Sequence, residues 1–302
     1  MMHALLFPGL TPARHRHVRR FLDRFSVARR LFDECSEALG YDLEEAYANA
    51  DIYDWEPYQT AFLAINLALA EWARDERGLR PQAICGQSFG AFAGAVAAGC
   101  LPLGEMVGLL SRSTAVERAF FAGLDVPLAC IFFSRVADAD IEALVRAAGE
   151  PDGWAEVSVR GDRGVYAVSG TAAAIARLDN AVRARRGIVY YTIDRAEHCP
   201  RMLPVRERVE LEAYAGVVFD DPAVPIVSDV TGAVLNTAEE VRTDLLDGWT
   251  HPTVGTTLYD GLEAVGVTSL IVPGPSSAFR RHGGDRFETV PISPAAVSEA
   301  LA

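Results

Sequence analysis

Lysine does not occur among the 302 residues, so every fixed cation is an arginine. We read this as compositional bias, without functional meaning. No apolar run is long enough to span a bilayer, which excludes a membrane-spanning helix within this sequence. The first residues, Met1 to Gly9, carry no basic leader and read as a buried strand ended by Pro-Gly. The five cysteines, Cys35, Cys85, Cys100, Cys130 and Cys199, are scattered and form no CxxC pair. That excludes a disulfide framework and a structural zinc, so no metal is expected, and reduced thiols point to the cytoplasm. Cys199 beside His198 reads as a small residue in a tight turn. Positive charge is also scarce: 28 basic against 41 acidic residues give a net charge of −13. A nucleic-acid partner needs a phosphate-neutralising surface, so this balance excludes one. Two local basic runs, Arg14–Arg20 and Arg280–His282, read as solvated surface.

Half of the residues are hydrophobic and 23% are charged, which suits a globular chain with a substantial core. The length predicts one large α/β domain carrying a smaller inserted one. A monomer is expected. Strands are expected over 3–7, 81–86, 224–230 and 269–272, with helices over 27–39, 58–75, 91–99, 238–248 and 254–264. The middle differs. Strands over 128–133, 154–160, 164–169 and 188–193 alternate with helices over 137–148 and 172–185. This βαββαβ order predicts a ferredoxin-like unit over residues 125–194. Residues 1–124 and 195–302 then form an α/β-hydrolase-like large subdomain with a parallel sheet.

The chemistry centres on Gly86-Gln87-Ser88-Phe89-Gly90. A strand, Gly-x-Ser-x-Gly and a small-residue helix make a nucleophile elbow, with Ser88 as the covalent nucleophile. The sharp turn leaves no room for side chains two residues either side of the serine. Ser88 then sits at a helix N-terminus, where free N–H groups favour negative charge. The Phe89 amide is the expected oxyanion donor. A serine needs a base, and six histidines are available. His15, His17 and His282 lie in basic segments and His3 precedes a strand. His198 sits at the junction after the insertion, where clefts form, and His251 in Trp249-Thr250-His251-Pro252 is the competing candidate.

These residues bring the chain to a known family. It resembles the malonyl-CoA:acyl carrier protein transacylases and the acyltransferase domains of polyketide synthases along nearly its whole length. Phe7-Pro8-Gly9, the Ser88 pentapeptide followed by Ala97-Ala98-Gly99, His198-Cys199-Pro200-Arg201-Met202, Pro225–Gly232 and Pro273-Gly274-Pro275-Ser276 carry the resemblance, in order. It implies that His198 is the base and that an acyl-Ser88 intermediate forms in a ping-pong reaction. The Phe89 and Leu10 amides would form the oxyanion hole. No bound cofactor is implied; the substrates ride on phosphopantetheine of coenzyme A or an acyl carrier protein. A backbone carbonyl around Pro273–Ser276 is implied to orient the histidine.

The departures from the family pattern are informative. The arginine that would hold a malonyl carboxylate falls, by spacing from Gly99, on Ser113; the neighbouring Arg112 is turned by about 100° on a helix. Gln87 replaces the usual histidine of the elbow. Arg195-Ala196-Glu197-His198 replaces the aromatic-containing versions, and Glu197 puts a carboxylate beside the acyl pocket, where it suits an amine or hydroxyl. Gln87, Ser113, Arg112, Glu197 and Met202 are therefore the expected substrate-binding residues. Arg160, Arg163, Arg201, Arg206, Arg280 and Arg281 are the expected docking cations for an acidic carrier protein. The expectation is a discrete, trans-acting acyltransferase with a non-malonyl acyl group, an aminoacyl or peptidyl-like one among the candidates. A carrier-thioester hydrolase and a catalytically silent carrier-binding module are the alternatives.

Overall fold

A computed structural model of the chain describes residues 2–275 and 283–301. Strand β1 (His3–Phe7) leads into four helices, α1 (His15–Arg24), α2 (Ser26–Leu39), α3 (Leu43–Asn49) and α4 (Trp55–Glu76). Strand β2 (Ala83–Gly86) then turns through Ser88 into α5 (Gly90–Ala97) and α6 (Leu103–Ala122). The middle segment is β3 (Leu128–Ser134), α7 (Asp138–Gly149), β4 (Ala155–Arg160), β5 (Tyr166–Thr171), α8 (Ala172–Ala184) and β6 (Ile188–Ile193). Helix α9 (Leu203–Glu212), β7 (Ile226–Val227), β8 (Val234–Leu235) and α10 (Ala238–Asp247) follow. The chain ends in β9 (Thr253–Val254), α11 (Gly255–Ala264), β10 (Ser269–Pro273), β11 (Glu288–Ile292) and α12 (Pro294–Ala300).

Two sheets result. The larger has the order β11-β10-β1-β2-β7-β8 and is parallel except for the β7–β8 hairpin. Its central strands are apolar runs buried on both faces: Ala4 to Phe7, Ala83 to Cys85 and Leu270 to Val272. Continuous rather than alternating apolar patterning is what a parallel sheet covered by helices on both sides demands. Helix α4 is apolar nearly all round, and Ala61 to Ile65 are almost fully enclosed, so it is an interior helix rather than a surface one. The smaller sheet has the order β6-β3-β5-β4-β9. Its first four strands are antiparallel, with α7 and α8 packed on one face through Ile141, Leu144, Ile175 and Leu178. That is the ferredoxin-like arrangement read from the βαββαβ order.

Two features depart from the sequence expectations, and a third adds to them. The smaller sheet gains a fifth strand, β9, which comes from residues 253–254 and pairs parallel with β4. It ties the two sheets together beyond the segment expected to form the insertion. The strand expected over 224–230 is cut to Ile226–Val227, because the Ser228 hydroxyl accepts from the amides of Val230 and Thr231 and turns the chain back. The arginine-rich stretch after residue 14 is a helix, α1. Its Val18, Phe21 and Leu22 face is buried while Arg16, Arg19 and Arg20 stay exposed.

The serine turn sits where the C-terminal ends of β1 and β2 lie side by side, in register from Ala4–Ala83 to Phe7–Gly86. A Cβ on Gly90 would lie 2.2 Å from the Phe7 carbonyl oxygen, and one on Gly86 would lie 2.2 Å from the Gly90 carbonyl carbon. Both neighbours are backbone and cannot swing aside. Glycine is therefore required at both positions for the chain to pass this close. We expect Gly90→Ala to cost about 1–3 kcal/mol or more by overpacking. A drop in thermal midpoint should appear, together with loss of acyl-enzyme formation at Ser88; an unchanged midpoint would show that the contact can relax.

Candidate active site

Ser88 adopts φ +52°, a left-handed conformation rare for a side-chain-bearing residue. The turn is held at several points. The Gln87 amide donates to the Phe7 carbonyl (2.9 Å), and the Ser88 amide donates to Asp229 Oδ2 (2.6 Å). These contacts fix the serine at the mouth of α5, beside the first strand's exit loop. A Cβ on Gly9 would lie 3.2 Å from the Gln87 carbonyl oxygen, so that loop passes close against the elbow.

Ser88 Oγ lies 2.7 Å from His198 Nε2. The other ring nitrogen, Nδ1, lies 2.6 Å from the Gly248 carbonyl oxygen. A carbonyl only accepts, so Nδ1 carries the proton and Nε2 presents its lone pair to the serine. His198 also has positive φ, +54°. Its segment is clipped to the smaller sheet, where the buried Ser169 hydroxyl on β5 accepts from the Glu197 amide (2.9 Å) and donates to the Glu197 carbonyl (2.8 Å). Two strained residues from opposite sides of the cleft thus meet through one short hydrogen bond. The carbonyl that orients the histidine is Gly248, at the end of α10, and not one from the Pro273–Ser276 turn as expected. The four residues after α10 fold back over its last turn, and the Cys199 amide reaches the Trp249 carbonyl, which brings Gly248 against the ring.

Two cavities meet at Ser88. The larger, about 510 Å³, is lined by Leu10, Gln87, Tyr191, Arg160, Arg135 and Tyr259 among others. The smaller, about 80 Å³, runs from Ser88 and His198 toward α6 and is lined by Gln59, Phe92, Ser113, Glu117 and Tyr214 among others. Ser88, Phe89, Arg195 and Glu197 border both.

The expected site residues distribute unevenly. Ser88, His198, Phe89 and Leu10 converge, and Gln87, Ser113 and Glu197 line one or both cavities. Arg112 does not: its Nε donates to the Ala213 carbonyl (3.0 Å), on the α9 side of α6, and it lines neither cavity. One residue of helical rotation separates it from Ser113, and the register is not shifted to recover it. Met202 is also no substrate contact; it is enclosed in the main core. His251 lines neither cavity and is exposed. Cys199 is buried, which pushes its thiol up to about 12, so it stays protonated and inert. Among the expected docking cations, Arg160 borders the larger cavity while paired with Glu142. Arg201 is exposed and pairs with Glu156 at 2.7 Å. Arg206 is enclosed between Glu210 (2.7 Å) and Asp247 (3.0 Å), a committed ion pair rather than an open docking charge. Arg280 and Arg281 lie outside the described residues, as does the Arg163 side chain.

Four groups escaped the sequence reading. Glu117 sits one turn after Ser113 on α6 and is 6% exposed; burial pushes its carboxyl up to about 7. The i, i+4 spacing from Ser113 was the available signal. Arg195 stacks over the Trp55 ring at 4.1 Å and reaches Glu197 at 3.4 Å. Asp229, in the Ser-Asp-Val-Thr-Gly run, braces the elbow. Gly248 carried no sequence signal, since only its backbone acts. Among the described residues, no group of three or more His, Cys, Asp or Glu is arranged to hold a metal, and no helix is long and apolar enough to cross a membrane.

The comparisons with known proteins agree with this geometry. The malonyl CoA-acyl carrier protein transacylase of Salmonella typhimurium is 25% identical over 310 residues, covering 99% of this chain and 98% of that protein. A stretch of the polyketide synthase GfsA of Streptomyces halstedii is 28% identical over 249 residues, covering 80% of this chain but 3% of that very long protein. The malonyl-CoA:acyl carrier protein transacylase structure from Xanthomonas oryzae superposes with a TM-score of 0.85 at 23% identity, covering 100% of this chain and 98% of that one. These relatives are acyltransferases, and the Ser88–His198 geometry suits that chemistry. The family supported is that of the malonyl transacylases and polyketide synthase acyltransferases. No family model matches the sequence.

Asp229 generates a prediction. It is 5% exposed, and burial, then the neighbouring Asp244, push its carboxyl from the ordinary 3.8 up to about 7, against the hydrogen bond from the Ser88 amide. A carboxyl raised on folding contributes stability that is present below its unfolded pKa and lost as pH rises through the folded one. Asn at this position keeps an acceptor for the Ser88 amide and cannot ionise. The thermal midpoint of Asp229→Asn should therefore gain on the wild type between pH 4 and 7 and hold a constant lead above that. Parallel melting curves across that range would contradict a buried, raised carboxyl.

Proposed function

We propose that the chain moves an acyl group from a phosphopantetheine thioester, on coenzyme A or a carrier protein, through Ser88 onto the thiol of an acyl carrier protein. The observation that carries this reading is the Ser88–His198–Gly248 hydrogen-bond chain at the junction of two cavities. His198 Nε2 takes the hydroxyl proton as Ser88 Oγ attacks the thioester carbonyl. The developing oxyanion faces the amides of Phe89 and Leu10. Collapse breaks the C–S bond, and the leaving thiolate takes the proton from the imidazolium. The acyl group then occupies the smaller cavity, and the larger one admits the pantetheine arm. A second thiol, deprotonated by His198, attacks the ester and frees the serine. Supporting a carrier as partner, a related transacylase has been solved in complex with a type II polyketide acyl-carrier protein; it aligns with 100% of this chain at a TM-score of 0.85 and 20% identity.

In this reading residues 1–124 and 195–302 supply the nucleophile and base, and residues 125–194 wall the cleft from the other side. The cationic rim of the larger cavity, Arg135 and Arg160, together with Arg201, faces the acidic partner. The enzyme acts as a monomer on carrier-bound substrates of polyketide or related biosynthesis. Its five free, buried cysteines suit the reducing cytoplasm.

The acyl group is not malonyl. Ser113 stands where a carboxylate-holding arginine is expected, and Arg112 is engaged elsewhere. Arg195 does border the smaller cavity, but it is stacked on Trp55 and paired with Glu197. Glu117, Glu197, Asp229 and Asp244 already border that space, so a malonyl carboxylate would join four carboxyl groups opposite one engaged cation.

Intact-mass measurement after incubation with a panel of acyl thioesters tests this. A covalent adduct should form on the wild type, fall by about a thousandfold or more in Ser88→Ala, and pass to a carrier protein on its addition. Release of free acid without transfer would instead make the protein a carrier-thioester hydrolase. Rapid loading by malonyl-CoA would sink the exclusion of malonyl.

A further inference from the structure

We propose that Glu117 and Ser113 form a recognition site for a primary ammonium at the far end of a short acyl chain carried on Ser88. The inference rests on the acyl-serine reading and names the class of acyl group it takes.

The smaller cavity begins at Ser88 and ends against α6. On that wall, Ser113 Oγ and Glu117 Oε2 are both buried, and neither has a hydrogen-bond partner. They lie four residues apart on one helix, so they share a face. Phe92, Leu110 and Val209 add apolar walls to the same space. Buried polar atoms are almost always paired, and an unpaired pair aimed into a cavity points to a ligand that supplies the missing donors. The nearby cations do not supply them. Arg195 is held by Glu197 and the Trp55 ring, and Arg118, on the exposed side of α6, lies over the same ring at 6.0 Å.

The donor and acceptor inventory selects among acyl termini. An ammonium carries three donors and no acceptor, which matches a carboxylate oxygen and a hydroxyl oxygen. A carboxylate terminus carries acceptors alone and would face Glu117 with like charge. An alkyl terminus would seal both polar atoms away from water with no partner. Charge agrees: Glu117 and Glu197 border this part of the cavity with Arg195, while Arg118 lies on the exposed side of α6, so a cationic terminus meets carboxyl groups there. Burial holds the Glu117 carboxyl at about 7, and an ammonium beside it favours the ionised form. The small volume, about 80 Å³, limits the chain to a short one.

The test compares two isosteric donors on the full-length protein, 3-aminopropionyl-pantetheine and butyryl-pantetheine, by the rate of acyl-Ser88 formation in intact mass spectra. The wild type should load the amine at least about tenfold faster, the scale of one charge-assisted hydrogen bond. In Glu117→Gln the ratio should fall to near unity, through slower amine loading and faster butyryl loading. Ser113→Ala should lower the ratio by a smaller factor and stands in if Glu117→Gln does not fold. Equal rates in the wild type, or an unaltered ratio in the folded variants, would overturn the ammonium site while leaving acyl transfer intact. No adduct with either donor would remove both.

Discussion

The active centre depends on how closely the backbone of β1 approaches the start of α5. Gly90 packs on the Phe7 carbonyl and Gly86 on Gly90, at separations that exclude any side chain. That approach forces the sharp turn, and the turn forces Ser88 to positive φ. The strain stays local because the flanking contacts over-determine it: the Gln87 amide on Phe7, the Ser88 amide on Asp229, and the parallel register of β1 on β2. The same approach brings the exit loop of β1, with Leu10, to the edge of the cavity in front of the serine. One packing constraint therefore positions the nucleophile and the segment expected to face its oxyanion.

The base is positioned by a different body of structure. His198 follows directly from the smaller sheet, and Ser169 clips the preceding residue to β5. Its ring is oriented from α10 of the larger part. The short β9–β4 pairing and the hydrogen bond from Tyr191 to the Leu10 carbonyl also join the two parts around the cleft. The serine–histidine distance is consequently a measure of how the two sheets sit on each other, and small shifts between them act on the proton transfer first.

Much of this was legible in the sequence because the signals were local. Gly-x-Ser-x-Gly between an apolar strand and a small-residue helix fixes the elbow by sterics alone, and βαββαβ periodicity fixes the smaller sheet. What escaped depends on long-range placement. Gly248 acts through a carbonyl, which every residue has, so its identity gave no signal. Glu117 looked like any helical glutamate until α6 was seen to turn that face inward. Arg206 looked like an available cation until Asp247 and Glu210 closed on it. Ser113 and Arg112 differ by one residue, and only the packing of α6 on α9 decides which of them meets the cavity.

The choice of a carbonyl to orient His198 follows from the charge already present around it. A carboxylate on Nδ1 would stabilise the imidazolium more strongly. Yet Asp229, Asp244, Glu117 and Glu197 border the same small space, and burial raises three of them, Asp229, Asp244 and Glu117, toward neutrality. Another buried carboxylate would raise them further or protonate itself, and would then hold the ring no better than a neutral acceptor. The Gly248 carbonyl fixes the tautomer without adding charge. It leaves the electrostatics of the cavity to the residues on α6 and the 195–198 segment, which face the acyl group. Orientation of the base and selection of the acyl group are thus assigned to separate groups, so that α6 can change its specificity without disturbing the serine–histidine pair.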